Sequence, residues 1–222
     1  MTDFEFPNDT ERVAIVGRTG SGKTQFGSWL LSNADFHAKP WVVVDFKGDE
    51  LLNSIAHARH IDTGDKLPKK PGLFILHAHP DDSDGIEQKM MQVWAQEHTG
   101  LCIDEGYMVD PKSRGLQAIL TQGRSKHIPA IVLSQRPSWL SKFVFTEADY
   151  LSVFHLNAKD DRKKIGEFMP PDIDLGLNPP RFHSHWYDVK RNHIFMMQPV
   201  PERDRILERF NARLTPKRSF FI

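Results

Sequence analysis

A glycine-rich segment near the amino terminus ends in a lysine and a threonine. It follows an apolar run over residues 13–16, and its residues are Gly17, Arg18, Thr19, Gly20, Ser21, Gly22, Lys23 and Thr24. The pattern G-x-x-x-x-G-K-[ST] between a strand and a helix lets backbone N–H groups point at phosphate oxygens. We expect Lys23 to reach the β- and γ-phosphates and Thr24 to offer its hydroxyl to Mg²⁺. The segment predicts a site for ATP and Mg²⁺, and a chance glycine-rich turn is the disfavoured alternative.

Two adjacent carboxylates, Asp104 and Glu105, follow the apolar run over residues 101–103. In a protein with a phosphate cradle, this arrangement is typical of the acids that serve the metal ion and the attacking water. Because side chains alternate along a strand, we expect the two carboxylates to point in different directions. Asp104 would bind the Mg²⁺ shell, and Glu105 would polarise the water that attacks the γ-phosphate. Solvated acids at a strand end are the alternative.

A polar amide, Gln135, ends another apolar run about thirty residues after the two acids. At the edge of a sheet, such an amide can lie between the acids and the γ-phosphate and report by hydrogen bonding whether that phosphate is bound. An amide that only closes a turn fits the sequence equally well. The sequence therefore leaves a sensor and a turn cap as equal interpretations of Gln135.

The elements that position these residues alternate between strand-length apolar runs and segments of helical period. The predicted strands are Arg12 to Val16, Trp41 to Asp45, Leu73 to His77, Leu101 to Asp104, Ala130 to Ser134 and Tyr150 to Leu156. Apolar residues at helical spacing lie between them, at Ile86, Met90, Val93 and Trp94 and at Leu116, Ile119 and Leu120. This alternation predicts an α/β fold with a mainly parallel sheet and helices on both faces.

The carboxyl-terminal part has a different pattern. Residues 170–181 contain four prolines and predict a surface loop. Two strand-like runs, His183 to Val189 and His193 to Val200, flank a polar three-residue turn and predict a β-hairpin. A short amphipathic helix from Glu202 to Leu214 and a basic tail should follow. We expect one domain over residues 1–222, with a core over about 11–168 and a carboxyl-terminal part over about 169–222.

Composition and charge narrow the class of protein. A chain of 222 residues suits one sizeable α/β domain. Its 29 basic and 29 acidic residues cancel, so any contact with nucleic acid must be local. No apolar run approaches the roughly 18 to 20 residues of a membrane span, and the amino terminus is acidic, so we expect no membrane span and a cytoplasmic location. The single cysteine, Cys102, excludes an internal disulfide and should be buried.

Four segments in a fixed order resemble the FtsK/HerA family of DNA-translocating ATPases. They are the cradle, residues 41–48 with the ending D-x-K-G, residues 122–137 with Gln122-Gly123-Arg124 and Ser134-Gln135-Arg136-Pro137, and residues 157–162. The resemblance covers about residues 11–168. Ser134 stands where the family more often has threonine, a change that leaves the sensor interpretation intact. Given its length, the chain is most similar within the family to the genome-packaging ATPases of membrane-containing icosahedral viruses.

The resemblance implies a RecA-like core with an additional strand, assembled as a ring, usually a hexamer, with ATP at each subunit junction. It implies an ATP-driven translocase that moves double-stranded DNA through the ring into a viral shell. A capsid vertex protein is the expected partner, and the host cytoplasm and the packaging vertex of the virion are the expected locations. Arg124 matches an arginine that implies a finger on a neighbouring subunit's γ-phosphate. Arg162 is the second candidate for this role, and a local ion pair is the alternative for Arg124.

Two other functions remain open at this point. A small P-loop kinase shares the cradle, although adjacent acids favour water as the nucleophile. A nucleotide-dependent assembly scaffold would bind ATP with only incidental turnover. For DNA, the basic candidates are Lys66, Lys69, Lys70, Arg114, Arg136 and Lys142, and no single contact can be assigned among them.

Overall fold

The computed structural model describes residues 4–171, 173 and 178–215. Within these ranges one sheet contains nine strands in the order β3-β4-β2-β5-β6-β1-β7-β8-β9. The strands are β1 Arg12–Val16, β2 Pro40–Asp45, β3 Arg59–Asp62, β4 Gly72–His77, β5 Gly100–Asp104, β6 Ala130–Ser134, β7 Tyr150–Val153, β8 Ser184–Asp188 and β9 His193–Met197. Strands β1 to β7 pair in parallel, and β8 and β9 continue the sheet as an antiparallel hairpin.

Helices cover both faces of this sheet, as the sequence predicts. They are α1 Lys23–Leu31, α2 Glu50–Asn53, α3 Ser83–Gln96, α4 Arg114–Gln122, α5 Phe143–Thr146, α6 Lys159–Gly166 and α7 Arg203–Leu214. Apolar residues of α1, α2 and α7 pack with Val13 and Ile15 of β1 in one cluster. Those of α3 to α6 pack with Ala14 and Val16 in another. The alternation of β1 between the two clusters explains why a buried parallel strand is apolar at every position.

Most predicted elements are confirmed, with small differences at their ends. Strand β7 stops at Val153, before the predicted Leu156, and the hairpin strands are shorter than their apolar runs. Strand β3 escaped prediction because its residues are largely exposed at the sheet edge and carry no apolar pattern. Part of the predicted proline-rich loop, at 172 and 174–177, and the tail over 216–222 lie outside the described residues. Among the helices described, none has the length and hydropathy to cross a bilayer.

The strand order decides which loops meet at the functional edge. Strand β6 lies between β1 and β5 in the sheet. It is the additional strand of the predicted core. Because β1, β2, β5 and β6 are parallel neighbours in this part of the sheet, their carboxyl ends lie at one edge. Ligands of open parallel sheets bind outside the carboxyl ends of the strands. Asp104 is the last residue of β5, and the glycine-rich segment, Glu105 and Gln135 directly follow strand ends.

Candidate nucleotide-binding and hydrolysis site

The phosphate cradle connects β1 directly to α1. Its first residues stay attached to the sheet, because Gly17 N donates to Ser134 O at 3.1 Å and Arg18 N donates to His155 O at 2.9 Å. Gly22 has a φ of 98° and precedes α1, where it has no side chain that could cap the helix. The first N–H groups of α1 are therefore available to phosphate oxygens, and the helix dipole favours an anion there.

Side chains from the cradle and from the end of β5 form one buried cluster. Lys23 Nζ lies 3.2 Å from Glu105 Oε1, and Thr24 Oγ1 lies 3.5 Å from Asp104 Oδ1. Lys23, Asp104 and Glu105 are all buried. The structure therefore brings the predicted phosphate-binding, metal-binding and base residues together, although they lie about eighty positions apart in the chain.

The expectation that the two carboxylates point in different directions is wrong. Strand β5 ends at Asp104, and Glu105 has a φ of 58° and a ψ of 51°, in the left-handed region. Strand alternation no longer applies to a residue in that conformation, so both carboxylates turn toward the same cluster. A left-handed conformation costs a residue with a Cβ atom roughly 1 to 2 kcal/mol. Such strain at a candidate active site points to a function for the orientation of Glu105.

Lys47 is a member of this cluster that the sequence analysis did not assign to the site. Its Nζ lies 3.1 Å from Asp104 Oδ2 and 3.1 Å from Glu105 Oε1. Asp45, at the end of β2, accepts backbone hydrogen bonds from Lys47, Gly48 and Asp49 and so holds the turn that carries Lys47. The sequence signal for Lys47 was the D-x-K spacing at the end of a strand. The pairing of β2 with β5 brings this strand end beside the two acids.

Burial and charge compete within the cluster. Burial raises the pKa of Asp104, and the nearby ammonium of Lys47 only partly opposes this effect. Burial lowers the pKa of Lys47, but Asp104 and Glu105 together raise it well above its ordinary value. The carboxylate bears the larger burial cost because the side chain of Asp104 is 2% exposed and that of Lys47 is 39% exposed.

The oxygen atoms of this cluster fit a divalent cation. Glu105 Oε2 is buried without a hydrogen-bond donor among the described residues, and the buried Asp104 Oδ2 has the ion pair with Lys47 Nζ at 3.1 Å as its contact. Mg²⁺ prefers oxygen ligands such as carboxylates and hydroxyls. Thr24 and Asp104 supply both kinds next to the cradle, so these two residues suit the predicted metal position.

Gln135 links the cradle to the segment that follows β5. Its Oε1 accepts a hydrogen bond from Thr19 Oγ1, and its Nε2 donates to the hydroxyl of Tyr107 at 3.0 Å. The turn after β6 is instead closed by Ser134, whose Oγ accepts from Arg136 N at 3.0 Å. These contacts favour the sensor interpretation over the turn cap. Tyr107 was missed because a single tyrosine after two acids carries no sequence signal.

Arg124 lies at the opposite edge of the sheet from its own cradle. Its Nη2 pairs with the carboxylate of Asp149, which also accepts from Arg12 N at 2.9 Å at the start of β1. Five residues of strand separate that point from the cradle, which is about 15 Å. The Arg124 side chain is 61% exposed. The structure shows the local ion pair, and a finger on another subunit stays a prediction.

Arg162, the second finger candidate, lies nearer the functional edge. Its Nη1 donates to the carbonyl oxygens of Leu156 at 2.9 Å and Asn157 at 2.7 Å. These bonds hold the segment between β7 and α6. The described contacts therefore give Arg162 a local structural role.

Comparison with known proteins identifies one close relative. The DNA packaging ATPase P9 of Enterobacteria phage PRD1 is 42% identical over 217 residues, which cover 94% of this chain and 95% of the relative. No family model matches the sequence.

Solved structures with lower sequence identity have the same fold. The genome packaging NTPase B204 of Sulfolobus turreted icosahedral virus 2, in complex with sulfate, has a TM-score of 0.71 at 20% identity and covers 88% of this chain and 100% of its own. VirB4 of Thermoanaerobacter pseudethanolicus has a TM-score of 0.68 at 10% identity and covers 91% and 93%. These results confirm the predicted fold and the predicted class of enzyme. The chain belongs to the family of viral DNA packaging ATPases that includes P9 of PRD1.

Proposed function

We propose that this protein is an ATPase that uses hydrolysis to move double-stranded DNA into a viral shell. The observation that carries the proposal is the buried contact of Lys23 with Glu105 directly beside the phosphate cradle. The carboxylate that we propose as the base thus lies beside Lys23, the residue expected to bind the γ-phosphate, and this contact supports the proposal. The 42% sequence identity to P9 over nearly the whole chain supports the packaging role.

The geometry supports an order of events within one subunit. In the structure, Glu105 Oε1 contacts both Lys23 and Lys47. A triphosphate places further anionic oxygens beside Lys23, so we expect Lys23 to exchange Glu105 for phosphate while Lys47 still contacts the carboxylate. Glu105 can then orient a water molecule and accept its proton. Mg²⁺ bound by Thr24 and Asp104 would neutralise the charge on the phosphates.

Duplex DNA, a hexameric ring and a capsid vertex protein are further parts of this proposal. So is a location in the host cytoplasm and at the packaging vertex of the virion. Among the basic candidates, Lys69 and Lys70 are exposed just before β4, at the amino edge of the sheet. Arg136 follows β6 at the other edge. Since these residues lie at opposite edges, they would meet DNA at different depths of a ring.

The proposal is tested by measuring the ATPase rate with and without duplex DNA. We expect linear duplex DNA to raise the rate and single-stranded DNA of the same length to raise it less. ATP binding without stimulation by DNA would favour the assembly scaffold. Transfer of the γ-phosphate to a nucleoside rather than to water would favour the kinase.

Replacing Gln135 by Ala should uncouple DNA from hydrolysis. The variant loses the link between Thr19 and Tyr107 but keeps Lys23 and the cradle backbone, so DNA stimulation should fall more than ATP affinity. The effect should be similar across neutral pH because an amide does not titrate there. Gln88→Ala, at an exposed position of α3, serves as the control and should behave as the parent. Equal loss of stimulation and affinity, or loss of neither, would support the turn cap.

The finger prediction for Arg124 is tested by mixing variants. Arg124→Ala alone should bind ATP but hydrolyse it slower by roughly 10³-fold if the residue acts on a neighbour. Lys23→Ala subunits should restore part of the activity in mixed rings, because their intact Arg124 serves the intact cradle next to them. Arg205→Ala removes another exposed, locally paired arginine and should have no effect. If mixed rings form without recovery, or if Arg124→Ala is nearly normal, only the Asp149 pair remains as its role and Arg162 is tested next.

A further inference from the structure

A cavity of about 300 Å³ opens beside the cradle, between α1 and the carboxyl-terminal hairpin. Its lining combines the cradle with aromatic and apolar side chains, among them Gly22, Phe26, Phe154, Phe182, Pro199 and Val200. Phe154 follows β7, Phe182 precedes β8, and Pro199 and Val200 follow β9. The segments that flank the hairpin therefore build most of the outer wall of this cleft. Neither the parallel strands nor the cradle itself supplies the residues of this outer wall.

A triphosphate bound in the cradle would extend from the γ-phosphate end toward this cleft. Glu105, Asp104 and Gln135 surround the end of the cradle where the γ-phosphate must lie. The α-phosphate end then runs along the first turn of α1, past Gln25. Since Gln25 also lines the cleft, the sugar and the base leave the cradle on this side.

Two other cavities suit a base less well. One of about 270 Å³ lies on the γ-phosphate side and is lined by charged groups, including Arg18, Arg136 and Asp161. Another, of about 390 Å³, is lined by Lys39 and Trp41 near the amino edge of the sheet. It lies across the strands from the cradle, so a nucleotide held by Lys23 cannot reach it.

Phe182 is the residue of the cleft that is best placed to stack on a base. Its side chain packs so closely on Gly22 that a Cβ atom at Gly22 would lie 3.1 Å from the Phe182 ring. Phe182 is nevertheless 43% exposed. Its backbone has a φ of 65°, which costs energy that a binding role would explain.

We propose that this cleft binds the purine base of the nucleotide, with the base stacked on Phe182; this inference rests on the proposed ATP site. A hydrogen bond of 2.8 Å from Gln25 Nε2 to Pro201 O closes the wall and uses the amide nitrogen. The remaining polar groups of the lining, Gln25 Oε1 and the Glu202 carboxylate, are acceptors that the amino group of adenine, guanine or cytosine can each meet, so the stacking area decides between the bases. Purines offer more stacking area than pyrimidines, so adenine and guanine should bind similarly and cytosine more weakly.

Calorimetric titration of the full chain with ADP, GDP, CDP and pyrophosphate in Mg²⁺ tests this site. Pyrophosphate has no sugar or base, so its affinity reports on the cradle alone. CDP keeps the sugar but carries a pyrimidine in place of the purine. For the parent, ADP and GDP should bind within a few-fold of each other and more tightly than CDP. Phe182→Ala should weaken ADP and GDP by about 5-fold or more, as base stacking on an aromatic side chain implies, and leave pyrophosphate unchanged.

Two further variants make the result specific. Phe182→Tyr keeps the ring and should bind all four ligands as the parent does. Met196→Ala removes another exposed apolar side chain of the same hairpin and should have no effect.

Three results would overturn the proposal. If Phe182→Ala weakens pyrophosphate as much as ADP, the ring supports the cradle and not the base. If Phe182→Ala leaves ADP unchanged, the base lies elsewhere. If the parent does not bind pyrophosphate or ADP at all, the phosphate cradle itself fails, and the proposed function fails with it.

Discussion

Replacing Glu105 by Gln is expected to arrest ATP hydrolysis while ATP binding persists. The amide has the shape of the carboxylate but cannot accept a proton from water, and a positioned general base contributes about 10²- to 10⁴-fold to a rate. The change also removes the negative charge that Lys23 contacts at 3.2 Å. Lys23 then has one competitor fewer for phosphate, so ATP affinity should be equal to or greater than that of the parent.

Single-turnover hydrolysis and equilibrium ATP binding measure these two effects separately. Glu208→Gln is the matched control, because Glu208 is an exposed glutamate on α7 with a local arginine partner, and it should leave both quantities unchanged. Turnover by Glu105→Gln within a few-fold of the parent would show that another group is the base.

Replacing Lys23 by Ala is expected to abolish nucleotide binding or turnover. Lys23 is 4% exposed, and we expect it to supply the charge nearest the β- and γ-phosphates. Removing one partner of a buried, hydrogen-bonded charge pair costs about 2 to 5 kcal/mol, which is roughly a 30-fold or greater loss of affinity. The fold should persist, because Lys47 still lies 3.1 Å from Glu105 and keeps that carboxylate paired.

Binding is measured by titration with ATP, and the fold by circular dichroism and the melting temperature. Lys112→Ala, at an exposed position before α4, is the control and should bind ATP normally. Near-normal hydrolysis by Lys23→Ala would remove the basis for the cradle assignment. A large drop in melting temperature would instead show that Lys47 does not neutralise Glu105 alone.

The cluster around Asp104 and Glu105 is costly to fold. It combines a buried oxygen, Glu105 Oε2, that lacks a hydrogen-bond donor among the described residues, a raised pKa at Asp104 and a left-handed backbone at Glu105. Buried charges without full compensation and strained backbone each lower stability. The chain retains these costs where the phosphates and Mg²⁺ are expected to bind, as is common at active sites.

The sequence alone determined the features that depend on local chain geometry. The cradle could be predicted because its glycines, Lys23 and Thr24 act within one turn between a strand and a helix. The buried strands could be predicted because a strand covered on both faces is apolar throughout. Asp104 and Glu105 could be predicted because they end such a strand.

Only the tertiary structure decided which distant residues become neighbours. Lys47 joins the acids because β2 pairs with β5, and Phe182 reaches Gly22 because the hairpin pairs with β7. Arg124 meets Asp149 because both lie at the amino edge of the sheet. Strand order and pairing arise from packing over the whole chain, so no local pattern around these residues encodes their partners.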